Sequence, residues 1–139
     1  MSEKILIVDD EKDILNLFEN ILVSAGHTVV KAESGKAALQ ILEREHIHII
    51  LMDIKMPDMD GLELCRKVKH HVPASICIAI TGHASVFDLV SCREAGFDDY
   101  YEKPIPFDTL REVVGNAVAT IGRWKTVAID SEAEPAIQL

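Results

Sequence analysis

Ile5-Leu6-Ile7-Val8-Asp9-Asp10 sets the pattern for the whole chain: four apolar residues that run into two acids. An apolar run this short, bounded by polar or turn residues, reads as a buried strand. The signature returns three times. Ile49-Ile50-Leu51-Met52 runs into Asp53, Ile76-Cys77-Ile78-Ala79-Ile80 runs into Thr81, and Tyr100-Tyr101 precedes Lys103. In an open α/β sheet, ligands bind outside the carboxyl ends of the strands. Asp9, Asp10, Asp53, Thr81 and Lys103 are therefore expected to meet in one place, as three acids, a hydroxyl and an ammonium.

Between the strands the apolar spacing changes from continuous to helical. Residues 12–25 place Ile14, Phe18, Ile21, Leu22 and Ala25 on one face, and Gly26 ends the helix. A second strand spans 28–31. Ser34 caps a helix that reaches about Arg44 and buries Ala37, Ala38, Ile41 and Leu42. After the loop Lys55-Met56-Pro57-Asp58-Met59, Asp60 caps a helix to about Lys69, and Pro73 breaks the chain before the fourth strand, 76–80. A helix over 86–94 is closed by Gly96, and 99–101 is a short fifth strand. The last helix, 107–121, carries the stripe Leu110, Val113, Val114, Ala117, Val118 and Ile121. Strictly alternating strands and helices predict an α/β fold: a five-stranded parallel sheet, doubly wound, with helices on both faces. After Gly122 the chain turns polar and acidic, Asp130-Ser131-Glu132-Ala133-Glu134-Pro135, and reads as a tail or the start of a linker over 122–139, leaving 1–121 as one domain.

The composition excludes several classes. With 14 Lys+Arg against 23 Asp+Glu and a formal net charge of −9, the chain lacks the basic stripe that direct nucleic-acid binding needs. No apolar run approaches the ~20 residues of a membrane span. Met1-Ser2-Glu3-Lys4 leads straight into a strand, so no signal peptide is expected. Cys65, Cys77 and Cys92 are odd in number and show no paired spacing, which fits a reduced, cytoplasmic protein.

Three carboxylates at one sheet edge repel each other unless a cation neutralises them. Oxygen ligands without His or Cys favour a hard ion, Mg2+ or Mn2+. Magnesium keeps waters and takes one or two carboxylates together with phosphate oxygens. Thr81 can donate to a phosphate oxygen, and Lys103 can pair with another as a point charge. The cradle suits phosphoryl transfer. Asp53 is the better-placed nucleophile, since the adjacent Asp9 and Asp10 are more natural metal ligands.

Four motifs occur in order: Ile7-Val8-Asp9-Asp10-Glu11; Leu51-Met52-Asp53-Ile54-Lys55-Met56-Pro57-Asp58-Met59-Asp60-Gly61; Ile80-Thr81-Gly82; and Ala95-Gly96-Phe97-Asp98-Asp99-Tyr100-Tyr101-Glu102-Lys103-Pro104. Together they resemble the response-regulator receiver family of two-component signalling, over roughly residues 4–121. The resemblance implies a flavodoxin-like strand order, 2-1-3-4-5, with five helices. It also implies roles. Asp53 would accept a phosphoryl group from a histidine kinase or phosphotransfer protein, and Asp9, Asp10, Asp53 and the Lys55 carbonyl would hold Mg2+. Asp10 would be the more direct ligand and Asp9 would act through water. Thr81 and Tyr100 would form a switch pair, Lys103 would bind the phosphoryl group, and Lys55 and His83 would modulate its lifetime. The Lys103-Pro104 peptide would be cis. A downstream protein or a second copy of the chain would dock on 86–94, 99–101 and 107–121. One departure stands out: Ile105 and Pro106 occupy positions where the family usually has Phe and a capping Asp or Ser, which puts the start of the last helix in question.

Two other function classes compete. A magnesium phosphohydrolase working through an aspartyl-phosphate typically carries Asp-x-Asp on its first strand, whereas here the acids are adjacent. A phosphorylation-independent interaction module would not need all five polar residues. The leading expectation is a signalling module that catalyses only its own phosphorylation and dephosphorylation. His46 and His48 read as surface residues at a strand entry, and His70-His71 as the end of a helix, where positive charge is favoured.

Overall fold

A computed structural model describes residues 3–82 and 85–133. Among the described residues, five strands alternate with five helices: β1 Lys4–Val8, α1 Lys12–Ser24, β2 Thr28–Ala32, α2 Gly35–Arg44, β3 Ile49–Met52, α3 Gly61–His71, β4 Ile76–Thr81, α4 Val86–Ala95, β5 Asp99–Glu102 and α5 Phe107–Ala133. The strands form one sheet in the order β2-β1-β3-β4-β5, and every pairing is parallel. This is the doubly wound, flavodoxin-like arrangement expected from the sequence.

The two-residue period of a strand sends neighbouring side chains to opposite faces, and the apolar runs use both. Ile5, Ile7, Ile49, Leu51, Ile78 and Ile80 pack with Leu15, Phe18, Ile21 and Leu22 of α1 and Leu110, Val113, Val114, Ala117 and Ile121 of α5. Leu6, Val8, Ile50, Met52, Cys77 and Ala79 face the other way, onto Ala38 of α2, Leu64, Cys65 and Val68 of α3, and Cys92 and Ala95 of α4. A continuous apolar run is what burial on both faces demands. Full burial of one Leu or Ile stabilises by roughly 2 kcal/mol, so polar residues are left to the strand ends.

The helix ends follow local chemistry. Ser34 Oγ accepts from the Ala37 amide at 3.1 Å, Asp60 Oδ1 from Glu63 at 2.9 Å and Ser85 Oγ from Asp88 at 3.1 Å, each satisfying an orphan donor of a first turn. Gly96 closes α4 in the left-handed conformation, φ 107°, which a β-carbon would disfavour. The last helix starts at Phe107 as expected. Pro106 supplies only its carbonyl, which accepts from the Leu110 amide at 3.0 Å, and Ile105 is buried beneath the helix start. The Lys103-Pro104 peptide is cis.

Three expectations need correction. On α1, Phe18, Ile21 and Leu22 are buried as expected, but the stripe begins at Leu15, with Ile14 only half-buried, and ends before Ala25, which is exposed. On α2, Ala38 is fully buried, but Ala37, Ile41 and Leu42 are only partly so, because this helix covers β2 at the edge of the sheet. The largest correction is to the end of the chain. α5 does not stop near Ile121 but continues to Ala133, so the non-periodic tail expected from residue 122 is helical through 133. Its core-facing stripe does end at Ile121, and Trp124 and Val127 are exposed. The segment Gly122–Ala133 is free of proline, and Lys125 Nζ holds Glu3 Oε2 at 2.8 Å. No proline stops the helix past its core, and the surface ion pair ties the extension back to the start of the chain. Residues 134–139 of the expected tail lie outside the described residues.

Candidate functional site

Parallel strands in register bring the carboxyl ends of β1, β3 and β4 to one edge. Val8 stands beside Met52, and Met52 beside Ala79, so the residues that follow, Asp9, Asp53 and then Thr81, emerge together. Backbone bonds hold the exits in place. The Asp9 amide donates to the Ala32 carbonyl at 3.1 Å, Asp53 to Val8 at 3.0 Å, and Lys103 to Thr81 at 2.7 Å. The last of these ties the lysine-bearing loop after β5 to the end of β4.

The side chains then converge. Asp9, Asp10 and Asp53 each offer a carboxylate oxygen, all within 4.8 Å of one another. Lys103 Nζ lies 2.7 Å from Asp9 Oδ2 and 3.3 Å from Asp53 Oδ2. The Glu11 amide donates to Asp9 Oδ1 at 2.9 Å and the Lys55 amide to Asp53 Oδ1 at 3.3 Å. Asp9 and Asp53 are buried, whereas Asp10 is exposed at the rim. Burial pushes the Asp9 carboxyl above its ordinary range, against the hydrogen bonds from Lys103 and Glu11. Burial pulls the Lys103 ammonium down, yet its hydrogen bond to Asp9 and the charges of Asp9 and Asp53 more than reverse this and hold it above the ordinary lysine value. One ammonium against three carboxylates leaves two negative charges uncompensated. Such a donor set, all oxygen and partly open at Asp10, fits a hard divalent cation.

The other expected residues take defined positions. Thr81 is fully buried at the end of β4. Tyr100, on β5, is half-buried against the α4 side of the core. Burial and, after it, the charge of Asp88 push its phenol up, opposed by a backbone hydrogen bond from Ser85 at the start of α4. Lys55 contributes its amide to Asp53 while its side chain is exposed. His83 lies outside the described residues. His48 is partly exposed with Nδ1 3.5 Å from Glu3 Oε1, His46 is exposed, and all three cysteines are buried free thiols.

One residue escaped the sequence reading. A β-carbon on Gly61 would fall against the Asp53 carbonyl oxygen and within 2.8 Å of Ile54 Cα, and the Gly61 amide donates to the Ile54 carbonyl at 2.8 Å. The first turn of α3 thus presses directly on the backbone that carries Asp53. The available signal was a glycine placed straight after the capping Asp60, at a helical position where Gly costs about 1 kcal/mol relative to Ala and so needs another reason.

The response regulator receiver domain model matches residues 5–115. The chain belongs to the response regulator receiver family. Curated relatives agree: it is 34% identical over 132 residues to the alkaline phosphatase synthesis transcriptional regulatory protein PhoP of Bacillus subtilis, covering 95% of this chain and 54% of that protein. It is 32% identical over 130 residues to the transcriptional regulatory protein GlrR of Escherichia coli, covering 90% of this chain and 29% of that one. The receiver chain therefore spans about half or less of the length of these relatives. Among solved structures it is similar to a response regulator receiver domain protein (CheY-like) from Methanospirillum hungatei, with 34% identity and a TM-score of 0.84 over 88% of this chain and 98% of that one. The chain is a receiver domain of two-component response regulators, a regulatory module.

Proposed function

We propose that Asp53 is the phosphoryl acceptor of this receiver. The observation that carries the reading is the buried Asp53 carboxylate, bonded to the Lys103 ammonium at 3.3 Å beside two further acids. In the reaction an Asp53 oxygen attacks the phosphorus of a phosphohistidine on a sensor kinase or phosphotransfer protein. The P–N bond breaks, and the imidazole leaves with its electron pair and takes up a proton. Asp9, Asp10, Asp53 and the Lys55 carbonyl would hold Mg2+, with Mn2+ as an alternative. The bound ion supplies charge neutralisation at the phosphoryl oxygens. Lys103 releases Asp53 and follows the incoming phosphoryl oxygens as a compact cation, and Thr81 donates its hydroxyl to one of them. The chain catalyses only its own phosphorylation and hydrolysis, and the exposed Lys55 side chain, with His83, sets how long the phosphoryl group lasts.

Output follows from Thr81 and Tyr100. Drawing the Thr81 hydroxyl toward the phosphoryl group opens space beneath α4 for the Tyr100 ring, a population shift limited by the differential interaction of the two states. The surface so altered, 86–94, 99–101 and 107–121, takes a downstream protein or a second copy of the chain, with Leu89 and Val90 exposed on it. No helix among the described residues is long and apolar enough to cross a membrane. The setting we propose is the cytoplasm, and the formal net charge of −9 argues against direct nucleic-acid binding. We place the receiver domain at residues 1–121 and read 122–139 as a tail or linker whose first part, to Ala133, continues helix α5. The test is phosphorylation by acetyl phosphate with Mg2+: wild type takes one phosphoryl group, and Asp53→Asn takes none while keeping its fold. Undiminished labelling of the variant refutes the assignment.

A further inference from the structure

We propose that Gly35, at the start of α2, is a positioning residue for phosphorylation, acting through Met59 on the loop that carries the Asp53 site; the inference rests on the acceptor reading of Asp53. A β-carbon on Gly35 would meet Met59 Sδ at 2.7 Å, Cγ at 3.0 Å and Cβ at 3.1 Å. The residue is buried, and its backbone lies outside the left-handed region, so what glycine supplies here is space and not conformational freedom. Met59 uses that space as a seat and packs on the core cluster that includes Met56, Ala38 and Ile54.

Both sides of the contact are held. On the helix side, Ser34 Oγ accepts from Ala37, the Ser34 carbonyl accepts from Ala38 at 3.0 Å, and Ala38 is fully buried, so the first turn of α2 has nowhere to retreat. On the loop side, the Gly61 amide closes residues 54–61 on the Ile54 carbonyl at 2.8 Å, Met56 is anchored in the core, and Asp58 stands at φ 66°. The far end of Met59 could rotate away from an added methyl group, but its Cβ cannot without moving the backbone. A push at Met59 is therefore passed along a closed loop to Lys55, whose amide holds Asp53 and whose carbonyl is assigned to the metal. A misplacement of about 1 Å at a reacting group can cost on the order of 100-fold in rate, so a few tenths of an ångström should cost about tenfold.

The experiment compares wild type, Gly35→Ala, Met59→Ala and the double variant. It measures the rate of labelling by acetyl phosphate, the Mg2+ concentration at half-maximal rate, and the melting temperature. Gly35→Ala is expected to label about tenfold more slowly and to need more Mg2+, even though Ala is the better helix former and loss of stability alone would not raise the Mg2+ requirement. Met59→Ala, which empties the seat, should also label slowly. In the double variant the new methyl group refills the space, so its loss is smaller than the product of the two single losses. Labelling of Gly35→Ala at the wild-type rate, or losses that simply multiply, overturns the proposal. Should Gly35→Ala fail to fold, Met59→Ala decides: an unchanged rate and Mg2+ requirement overturn it. Absence of label on wild type overturns the acceptor reading, and this one with it.

Discussion

Removing the ammonium at the centre of the site tests its electrostatics most sharply. Lys103→Met keeps the apolar stem and deletes the charge. In the wild type the lysine side chain is 16% exposed and its partners Asp9 and Asp53 are 3% and 8% exposed, at 2.7 and 3.3 Å. With an effective dielectric constant of about 20, those distances correspond to roughly 6 and 5 kcal/mol of attraction, before the desolvation of all three ions is set against them. Breaking a buried pair by deleting one partner typically costs about 3–5 kcal/mol. The low end applies here, because the site opens to solvent at the exposed Asp10. A loss of about 3 kcal/mol at pH 7, near 10 °C in melting temperature for a domain of this size, is expected without metal. The signs with pH follow. Lys103 has a raised value, so its contribution is whole below the ordinary lysine value of about 10.5 and fades only as pH rises through the raised one. The variant's deficit shrinks on acidification, as Asp9 protonates. Mg2+ binds the variant without having to displace the ammonium, so saturating Mg2+ should close more than half of the gap. Urea unfolding with and without Mg2+ measures both quantities. A metal-free deficit under ~1 kcal/mol, or a gap that Mg2+ leaves unchanged, refutes the reasoning.

Gly61→Ala should destabilise by about 2–3 kcal/mol, since the new methyl group meets backbone and not a flexible side chain; equal or greater stability in urea would show that the loop yields. Asp10→Ala relieves repulsion at the exposed rim, so the metal-free protein should gain up to ~1 kcal/mol while Mg2+ affinity falls at least ~10-fold, about 1.4 kcal/mol. Calorimetric titration with an unchanged Mg2+ affinity would remove Asp10 from the ligand set. Burial, then the hydrogen bond to Asp99, pushes the Tyr101 phenol up to about 12. Its stabilising contribution is complete below the ordinary tyrosine value of about 10 and is lost as pH rises from there through the raised one. Tyr101→Phe should flatten the loss of stability over that window and remove a late step from the tyrosinate absorbance titration; a variant with the same alkaline profile contradicts this.

The features legible in the sequence were those encoded locally. Ile5-Leu6-Ile7-Val8 and its counterparts announce buried strands by length and bounding residues, and parallel order then places whatever follows each run at one edge. Asp9 and Asp53 are consequently both found within hydrogen-bonding reach of Lys103. Ser34 and Asp60 likewise show themselves as caps, because a cap needs only the next three residues. What remained hidden depends on contacts distant in sequence or on weak forces. Gly35 and Met59 meet across two elements, and nothing near either residue says so. The first turn of α1 is ambiguous in the sequence, because Ile14 and Leu15 are both apolar and only packing on the sheet decides which is buried. Helix α5 outruns its apolar stripe with no proline to stop it and with Lys125 paired to Glu3, neither of which leaves a periodic signature.

The central claim, that Asp53 carries the phosphoryl group, is tested most directly by chemical mapping. The chain is treated with acetyl phosphate and Mg2+, the acyl-phosphate is reduced with borohydride, and peptides are sequenced by mass spectrometry. The account predicts that reduction marks position 53 alone, and only when Mg2+ is present. A mark at Asp9, Asp10 or another position in place of 53, or undiminished marking of 53 without divalent metal, would contradict it.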